Sequence, residues 1–312
     1  MDYTHNTFSF PSHTGNTDIF VQSLSPANPA DIVGIIQIVH GMAEHTDRYL
    51  DVAKYLCGRG FYVIMHDHAG HGRSVKSDED DGYFCDKDGW LCLVDDVYEV
   101  SKLAKKEVPG KKLIIWGHSM GSFITRKYIA KYKHSADAAV ICGTSGANPG
   151  AAVGILLANI IASVKGKKYK SKLINNIAFG TYNKRFNGNT GFEWLSVNED
   201  NVTKYVADPK CGFLFSATGY RDLFSVLKSV SSPDWYKEVP ADLPMYLISG
   251  EDDPVGAYGK GVTEVYDKLK ASGHTNVTMK LYKGLRHEIH NEKTNAEVYA
   301  DIADFALSVI EK

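Results

Sequence analysis

The chain has 312 residues, 44% of them hydrophobic and 23% charged, which fits one large globular domain with room for an inserted subdomain. Its formal net charge of -2 excludes the strongly basic surface that nucleic-acid binding requires, so no nucleic-acid partner is expected. The N-terminal residues lack a basic segment followed by an apolar one, and the five cysteines match no metal-ligand spacing, so we expect a cytoplasmic protein with reduced thiols.

Short apolar runs alternate with helical segments in the first half of the chain. Strands are predicted at residues 18–24, 34–40, 61–65, 112–116 and 138–142. Helices are predicted at residues 48–59, 88–106 and 122–133. Polar and apolar residues alternate in 18–24, which indicates an edge strand. Because strands separated by helices pair in parallel through right-handed crossovers, this order predicts a mostly parallel α/β sheet.

The alternation stops after residue 144 and resumes at residue 240. The intervening segment, 145–239, is irregular and mostly helical in pattern. Beyond it, strands are predicted at 244–249 and 277–282, and helices at 261–271 and 295–311. We therefore predict one core formed by residues 1–144 and 240–312, with residues 145–239 inserted as a subdomain after one strand.

The longest apolar run lies within the inserted segment, at residues 151–164, and a lysine-rich stretch follows it at 165–170. The run is shorter than the roughly 20 apolar residues that a membrane span needs. Three interpretations stay open: a helix that lines a pocket, a helix that contacts a lipid surface, and a helix that packs on the rest of the protein.

The most specific motif is Gly117-His118-Ser119-Met120-Gly121, which follows the predicted strand 112–116 and precedes the predicted helix 122–133. A strand that ends in G-x-S-x-G and turns directly into a helix is typical of the nucleophile elbow of serine hydrolases. The glycines leave room where strand and helix approach each other closely. The motif predicts Ser119 as a nucleophile and the backbone N–H of Met120 as an oxyanion donor.

Two further polar segments follow predicted strands, at the sheet edge where open α/β folds place their ligands. Asp252 and Asp253 come after strand 244–249, and His287 comes after strand 277–282. The resulting order is serine, acid, histidine, which is the order of the triad in α/β hydrolases. From the residues alone, the acid is Asp252 or Asp253, and His290 competes with His287 for the role of the base.

A second oxyanion donor is expected from the loop after strand 34–40. Met42 follows Gly41 there, and the glycine allows the backbone to approach the nucleophile closely. We therefore predict that the backbone N–H of Met42 completes the oxyanion hole. Acyl transfer to a serine requires no metal ion and no organic cofactor, so neither is expected.

Taken together, these motifs resemble the α/β-hydrolase superfamily, and more narrowly its monoacylglycerol lipase and lysophospholipase-like branch, which is often grouped with serine aminopeptidase-type hydrolases. The resemblance spans about residues 35 to 292. It also rests on Glu44-His45, Arg48-Tyr49, the run D-H-A-G-H-G-R-S at 67–74, Pro254-Val255 and Asn291-Glu292. It implies an α/β-hydrolase fold, with a mostly parallel central sheet, helices on both faces and an inserted, mainly helical cap.

Two details are implied by the resemblance and not by the spacing of the residues. The family's acid lies three residues after the glycine at the strand end, which implies Asp253 and not Asp252. The resemblance also implies that residues 145–239 form the cap over the active site. Cap landmarks of the branch are expected at Trp194-Leu195-Ser196, Asp208-Pro209 and Cys211.

The expected function is therefore a serine hydrolase that cleaves carboxylic esters through an acyl-enzyme intermediate. An acylglycerol or a lysophospholipid is the first substrate expected, while a short-chain or aromatic acyl ester and a peptide remain alternatives. Transient contact between the cap and a membrane surface is a further expectation. The sequence leaves the oligomeric state open.

Two other classes of protein compete with this interpretation. His66, His68 and His71 have the H-x-H-x-x-H spacing of a binuclear metallohydrolase, but Gly70 stands where that pattern requires an aspartate ligand. The same residues fit a glycine-shaped turn after strand 61–65. A binding protein without enzymatic activity is the other alternative, and it is disfavoured because the chain retains all three residue types of the triad.

Overall fold

The computed structural model describes residues 2–311 and contains an eight-stranded sheet. The strands are β1 (Tyr3–Pro11), β2 (Asp18–Pro26), β3 (Gly34–Val39), β4 (Phe61–His66), β5 (Leu113–His118), β6 (Ala138–Cys142), β7 (Met245–Gly250) and β8 (Val277–Tyr282). Their order across the sheet is β1-β2-β4-β3-β5-β6-β7-β8. The β1–β2 and β2–β4 pairs are antiparallel, and the other pairs are parallel. The predicted mostly parallel sheet is confirmed.

Helices cover both faces of this sheet. They are α1 (Leu50–Gly58), α2 (Gly89–Glu107), α3 (Met120–Lys131), α4 (Gly150–Lys165), α5 (Lys172–Phe179), α6 (Glu199–Ala207), α7 (Ala217–Ser231), α8 (Trp235–Glu238), α9 (Lys260–Ala271) and α10 (Asn295–Ile310). Successive side chains of a strand point to opposite faces. In β5, Ile114 and Trp116 therefore pack with α1 and α10, whereas Leu113 and Ile115 pack with α2, α3 and α9.

The prediction of an edge strand at 18–24 is wrong, because β1 lies outside β2. The two strands pair along their whole length, from Tyr3 with Pro26 to Pro11 with Asp18. β1 is almost fully exposed, so burial imposes no apolar pattern on its sequence and periodicity could not reveal it. The other predicted strands and helices agree with the structure to within two residues at each end.

Between β6 and β7 the chain leaves the sheet and forms α4 to α8, and we call residues 145–239 the inserted segment. Arg126 of α3 joins both ends of this segment to the core. Its buried guanidinium donates to the carbonyl oxygens of Ser145 at 2.9 Å and Val230 at 2.6 Å. It also lies 4.3 Å from the ring centroid of Trp235, and burial lowers the pKa of Arg126 to about 10.

The apolar run of the inserted segment forms α4. One side of this helix packs against α7, with Phe224 so close to Gly154 that a side chain there would collide with the ring. The other side exposes large apolar residues to more than half of their area: Val153, Leu156, Ile160 and Val164. Among residues 2–311, no helix combines the length and the apolarity needed to cross a membrane.

Candidate active site

Ser119 lies between β5 and α3 in a conformation that side chains rarely adopt, with φ 55° and ψ -122°. The neighbouring glycines are required by close packing. A Cβ atom at Gly117 would lie 2.3 Å from the carbonyl oxygen of Gly121, and one at Gly121 would lie 2.0 Å from that of Val39. The sharp turn therefore places Ser119 at the N-terminus of α3, where the helix dipole favours negative charge.

Asp253 and His287 are in direct contact beneath the surface. His287 Nδ1 lies 2.9 Å from Asp253 Oδ2, and both side chains are buried. Asp253 also accepts hydrogen bonds from the Ser249 hydroxyl at 2.9 Å and the Val255 backbone N–H at 2.8 Å. Asp252, in contrast, is exposed. The structure thus brings Asp253 and not its neighbour to His287.

The electrostatics of this pair favour a charged Asp253 beside a His287 that can take up a proton. Burial alone would favour the neutral form of each group, but their mutual attraction and hydrogen bond outweigh it. As a result the pKa of His287 is raised above its ordinary value and the pKa of Asp253 is lowered. Because Nδ1 of His287 is engaged by Asp253, Nε2 is the nitrogen left for proton transfer.

His290, the competing histidine, packs among aromatic rings. Its ring stacks on Tyr49 with 4.7 Å between centroids and meets the edge of Trp116 at 5.7 Å. Burial, together with nearby His118, lowers the pKa of His290 to about 3. A histidine that stays neutral and lies beneath the site has a packing role, so the geometry favours His287 as the base.

The loop after β3 packs directly against Ser119. A Cβ atom at Gly41 would lie 3.1 Å from the Cβ of Ser119 and 2.6 Å from Glu44 Oε1. The Gly41 backbone N–H donates to the same Glu44 oxygen at 2.7 Å. Met42 and Met120, the two predicted oxyanion donors, line one cavity together with Ser119 and His287. The loop is therefore held beside Ser119 by the Glu44 carboxylate.

A buried charge network, which sequence reasoning missed, connects this loop to the His287 loop. Arg48 donates to Glu44 at 2.7 Å and to Glu288 at 2.6 Å. Asn201 of the inserted segment donates to Glu288 at 2.7 Å. The sequence motifs included Glu44, Arg48 and Glu288 but gave no sign that Glu288 joins the other two, because it lies 240 positions after Arg48.

Gly143 is a second residue that the sequence analysis missed. It follows β6 directly and has a φ of 60°. A Cβ atom there would lie 3.0 Å from His287 Cε1. The only signal in the sequence is a glycine immediately after a buried strand, and this pattern has many other causes. The absence of a side chain at position 143 leaves room for the imidazole.

The expected cap landmarks lie close to His287 and to the loop after β3. The ring centroid of Trp194 is 5.2 Å from that of His287. The neighbouring Arg286 donates to the carbonyl oxygens of Glu193 and Ser196. Asp208 lies 2.8 Å from His45 Nε2. The inserted segment is thus attached to both loops that border Ser119.

A cavity of about 810 Å³ opens between the inserted segment and the core. Its volume is in the range of small-molecule binding sites. Ser119 and His287 lie at its wall, and most of its lining is apolar. Aromatic and aliphatic side chains from α3 to α7 and the nearby loops contribute, including Phe123, Leu157, Ile174, Phe179, Phe213 and Leu227. The arrangement can bind an apolar molecule beside the Ser119 hydroxyl and the His287 imidazole.

The alternative metal site at His66, His68 and His71 does not form. Within residues 2–311, these histidines are not among the clusters whose donor atoms lie within 4.8 Å of one another. Their turn is organised by Asp67 instead, which accepts from the backbone N–H groups of Thr46 at 2.9 Å and Arg73 at 2.8 Å. The H-x-H-x-x-H spacing therefore reflects a structural turn.

Comparison with known proteins agrees with this geometry. The sequence model of the family described as "Serine aminopeptidase, S33" matches residues 30–294. The chain belongs to this family. Human monoglyceride lipase is 27% identical over 262 residues, which cover 83% of this chain and 76% of that protein. Monoacylglycerol lipase of Mycolicibacterium smegmatis is 27% identical over 280 residues, with 88% of both chains covered.

Solved structures of other proteins have the same fold as this chain. A thermostable carboxyl esterase from Bacillus coagulans superimposes with a TM-score of 0.92 at 30% identity, over 98% of this chain and 99% of that one. A structure titled "Lipase (Open form)" superimposes with a TM-score of 0.89 at 25% identity. The chain is therefore an ester hydrolase of the α/β-hydrolase type, and a serine mechanism is general in its family.

The buried histidines predict that the hydrolase loses stability in acid. His66, His71 and His290 keep pKa values of about 3 in the folded state, whereas unfolding returns each pKa to about 6.5. Between these two pKa values the unfolded chain binds more protons than the folded chain. The free energy of unfolding therefore rises with pH by up to about 1.4 kcal/mol per pH unit for each histidine. We expect the free energy of unfolding in urea to fall steeply from about pH 6 to about pH 4.

His66→Met provides the check on this prediction, because it removes one of the three groups without adding another titratable side chain. We expect its unfolding free energy to depend less steeply on pH than that of the wild type. His134→Met, at an exposed position, is the matched control and should leave the slope unchanged. Equal slopes for wild type and His66→Met would contradict the explanation.

Proposed function

We propose that Ser119, His287 and Asp253 act as nucleophile, general base and orienting acid in the cleavage of carboxylic esters. The observation that carries this proposal is the 2.9 Å contact between His287 and Asp253, beside a strained serine on the wall of an apolar cavity. No cofactor enters the proposed reaction. We further propose that residues 145–239 form a cap, since this segment encloses the cavity together with the core.

In the proposed mechanism, the Ser119 hydroxyl oxygen attacks the ester carbonyl while Nε2 of His287 takes its proton. The backbone N–H groups of Met42 and Met120 stabilise the negative charge that develops on the carbonyl oxygen. His287 then donates the proton to the leaving alkoxide, which departs as an alcohol. Water, activated by the same imidazole, releases the acid from the acyl-enzyme and restores the serine.

The assignment of the acid is tested by two neighbouring aspartates. Asp253→Asn should lower kcat for a p-nitrophenyl ester by about 10⁴-fold, because the amide no longer stabilises the imidazolium. Ser119→Ala and His287→Ala should cause losses of similar size, since the three groups act as a unit. Asp252→Asn, exposed and one residue away, is the matched control and should retain near-normal turnover.

Circular dichroism melting of each variant separates loss of the fold from loss of chemistry. If Asp252→Asn abolished turnover while Asp253→Asn remained active and folded, the proposed acid would be wrong.

The pH profile of turnover tests the role of His287. Turnover should decline as the pH falls through the raised pKa of His287, because the protonated imidazole cannot accept the serine proton.

We propose an ester with a long apolar acyl chain, such as a monoacylglycerol or a lysophospholipid, as the substrate. The mostly apolar lining of the 810 Å³ cavity supports this choice, as do the names of the human and mycobacterial relatives. A carboxylesterase for short-chain or aromatic acyl groups is the second candidate, because the similar Bacillus coagulans structure is a carboxyl esterase. The apolar lining favours either ester over a peptide.

A bulky residue on the cavity side of α4 should shift the preference for acyl-chain length. Leu157 lines the cavity, so Leu157→Trp should reduce kcat/KM for long-chain monoacylglycerols more than for short-chain esters. Asn159→Trp adds the same bulk on the exposed side of the helix and should keep the wild-type profile. A wild-type optimum at short acyl chains would rule out the long-chain substrate and support the second candidate.

We propose that the exposed face of α4 and α5 rests transiently on a lipid surface. The large apolar side chains of this face are all more than half exposed. They are Val153, Leu156, Ile160 and Val164 of α4, and Leu173 and Ile177 of α5. Exposed lysines, Lys165 and Lys172 among them, border this face and suit anionic headgroups.

We also propose a cytoplasmic location. The free state of all five cysteines supports it, and fractionation of the source cells would check it.

Vesicle flotation tests the lipid contact. The double variant Leu156→Glu, Ile160→Glu should float to a lower extent than the wild type with phosphatidylcholine vesicles containing phosphatidylglycerol, since two charges oppose insertion. Val206→Glu, at an exposed valine of α6, is the control and should float like the wild type. Equal flotation of all three proteins, or none with the wild type, would contradict a lipid contact at this face.

A further inference from the structure

A separate group of metal-binding donor atoms lies where the inserted segment meets the loop after β3. A ring nitrogen of His45, a carboxylate oxygen of Asp208 and the sulfur of Cys211 all lie within 4.8 Å of one another. His45 Nε2 is 2.8 Å from Asp208 Oδ2. The side chains of His45 and Asp208 are 12% and 32% exposed, so an ion can reach the cluster from solvent.

Backbone hydrogen bonds hold the cluster in place without any ion. The Cys211 N–H donates to the Asp208 carbonyl oxygen at 3.0 Å, which closes a turn between two of the donor residues. The Gly212 N–H donates to the carbonyl oxygen of Ala43 at 2.9 Å, which ties this turn to the loop that carries His45. The second oxygen of Asp208 accepts from the Lys210 N–H at 2.8 Å. The three donors are therefore preorganised.

The charges around the cluster also suit a cation. On the far side of the His45 ring, Nδ1 lies 4.0 Å from an Asp47 carboxylate oxygen, which places a negative charge near the cluster without a hydrogen bond to the ring. The nearby cations are paired with carboxylates, Arg73 with Asp47 among them. Arg48 is neutralised by Glu44 and Glu288, and the Lys210 ammonium is paired with Asp78 at 2.6 Å.

We propose that His45, Asp208 and Cys211 bind one divalent ion of the zinc class. A set of one nitrogen, one oxygen and one sulfur donor favours Zn²⁺ over Mg²⁺ or Ca²⁺, which prefer oxygen alone. Three protein ligands leave the fourth tetrahedral position to water. When the ion binds, the Cys211 thiol releases its proton to solvent and the thiolate forms the metal–sulfur bond.

A bound ion would join two parts of the molecule that move separately if the inserted segment opens. His45 belongs to the loop that also carries Met42, whereas Asp208 and Cys211 belong to the inserted segment. The ion would therefore fix this segment against the core and raise the melting temperature of the protein. This effect does not depend on the proposed ester chemistry.

Cobalt substitution tests the site with a readout other than activity. The wild type should bind one equivalent of Co²⁺ with a thiolate-to-cobalt charge-transfer band in the near ultraviolet, and Zn²⁺ should displace it while Mg²⁺ should not. Cys211→Ser and His45→Gln should lose the band.

Two control variants keep the interpretation specific. Cys92→Ser removes another half-buried thiol outside the cluster and should bind Co²⁺ like the wild type. Cys142→Ser is needed because His118, Cys142 and His290 form a second, fully buried group of donors. Loss of the band in Cys142→Ser, its persistence in Cys211→Ser, or the absence of saturable binding to active wild-type enzyme would overturn the metal site and leave the proposed hydrolase function intact.

Discussion

The buried guanidinium of Arg48 is the interaction on which the site depends. It lies between the carboxylates of Glu44 and Glu288, and these two carboxylates belong to different loops of the site. Glu44 fixes the Gly41 backbone beside Ser119, and Glu288 follows His287 directly. Because a buried carboxylate that loses its partner destabilises a protein by about 3–5 kcal/mol, the three charges stabilise one arrangement of these loops.

The same network reaches the inserted segment, so this segment is connected to the loops that carry Gly41 and His287. Asn201 donates to Glu288, and Arg286 donates to the carbonyl oxygens of Glu193 and Ser196. On the opposite side, Arg126 joins both ends of the segment to α3, the helix that begins directly after Ser119. Movement of the segment must therefore break hydrogen bonds next to His287 or leave polar groups of Arg126 unpaired.

The strained backbone of Ser119 is consistent with a rigid site beside the inserted segment. Glycine at 117 and 121 lets β5 and α3 approach until no side chain fits between them, and the packing of β3 against Gly121 then fixes the turn. Such strain persists only where the surrounding structure determines it. The wall of the cavity beside it, to which α4 to α7 contribute, is mostly apolar.

The sequence by itself determined the order of strands and helices, the position of the inserted segment and the residue types at the strand ends. These features depend on local patterns: apolar periodicity, glycines in turns and chemistry at fixed spacing. It could not reveal β1, which is exposed and carries no apolar pattern. The spacing of the residues left Asp252 and Asp253 open and only the resemblance implied Asp253, while the tertiary structure brings Asp253 to His287. The tertiary structure alone joined Glu288 to Arg48, and Cys211 and Asp208 to His45. These contacts link residues far apart in the chain, and only tertiary packing brings them together.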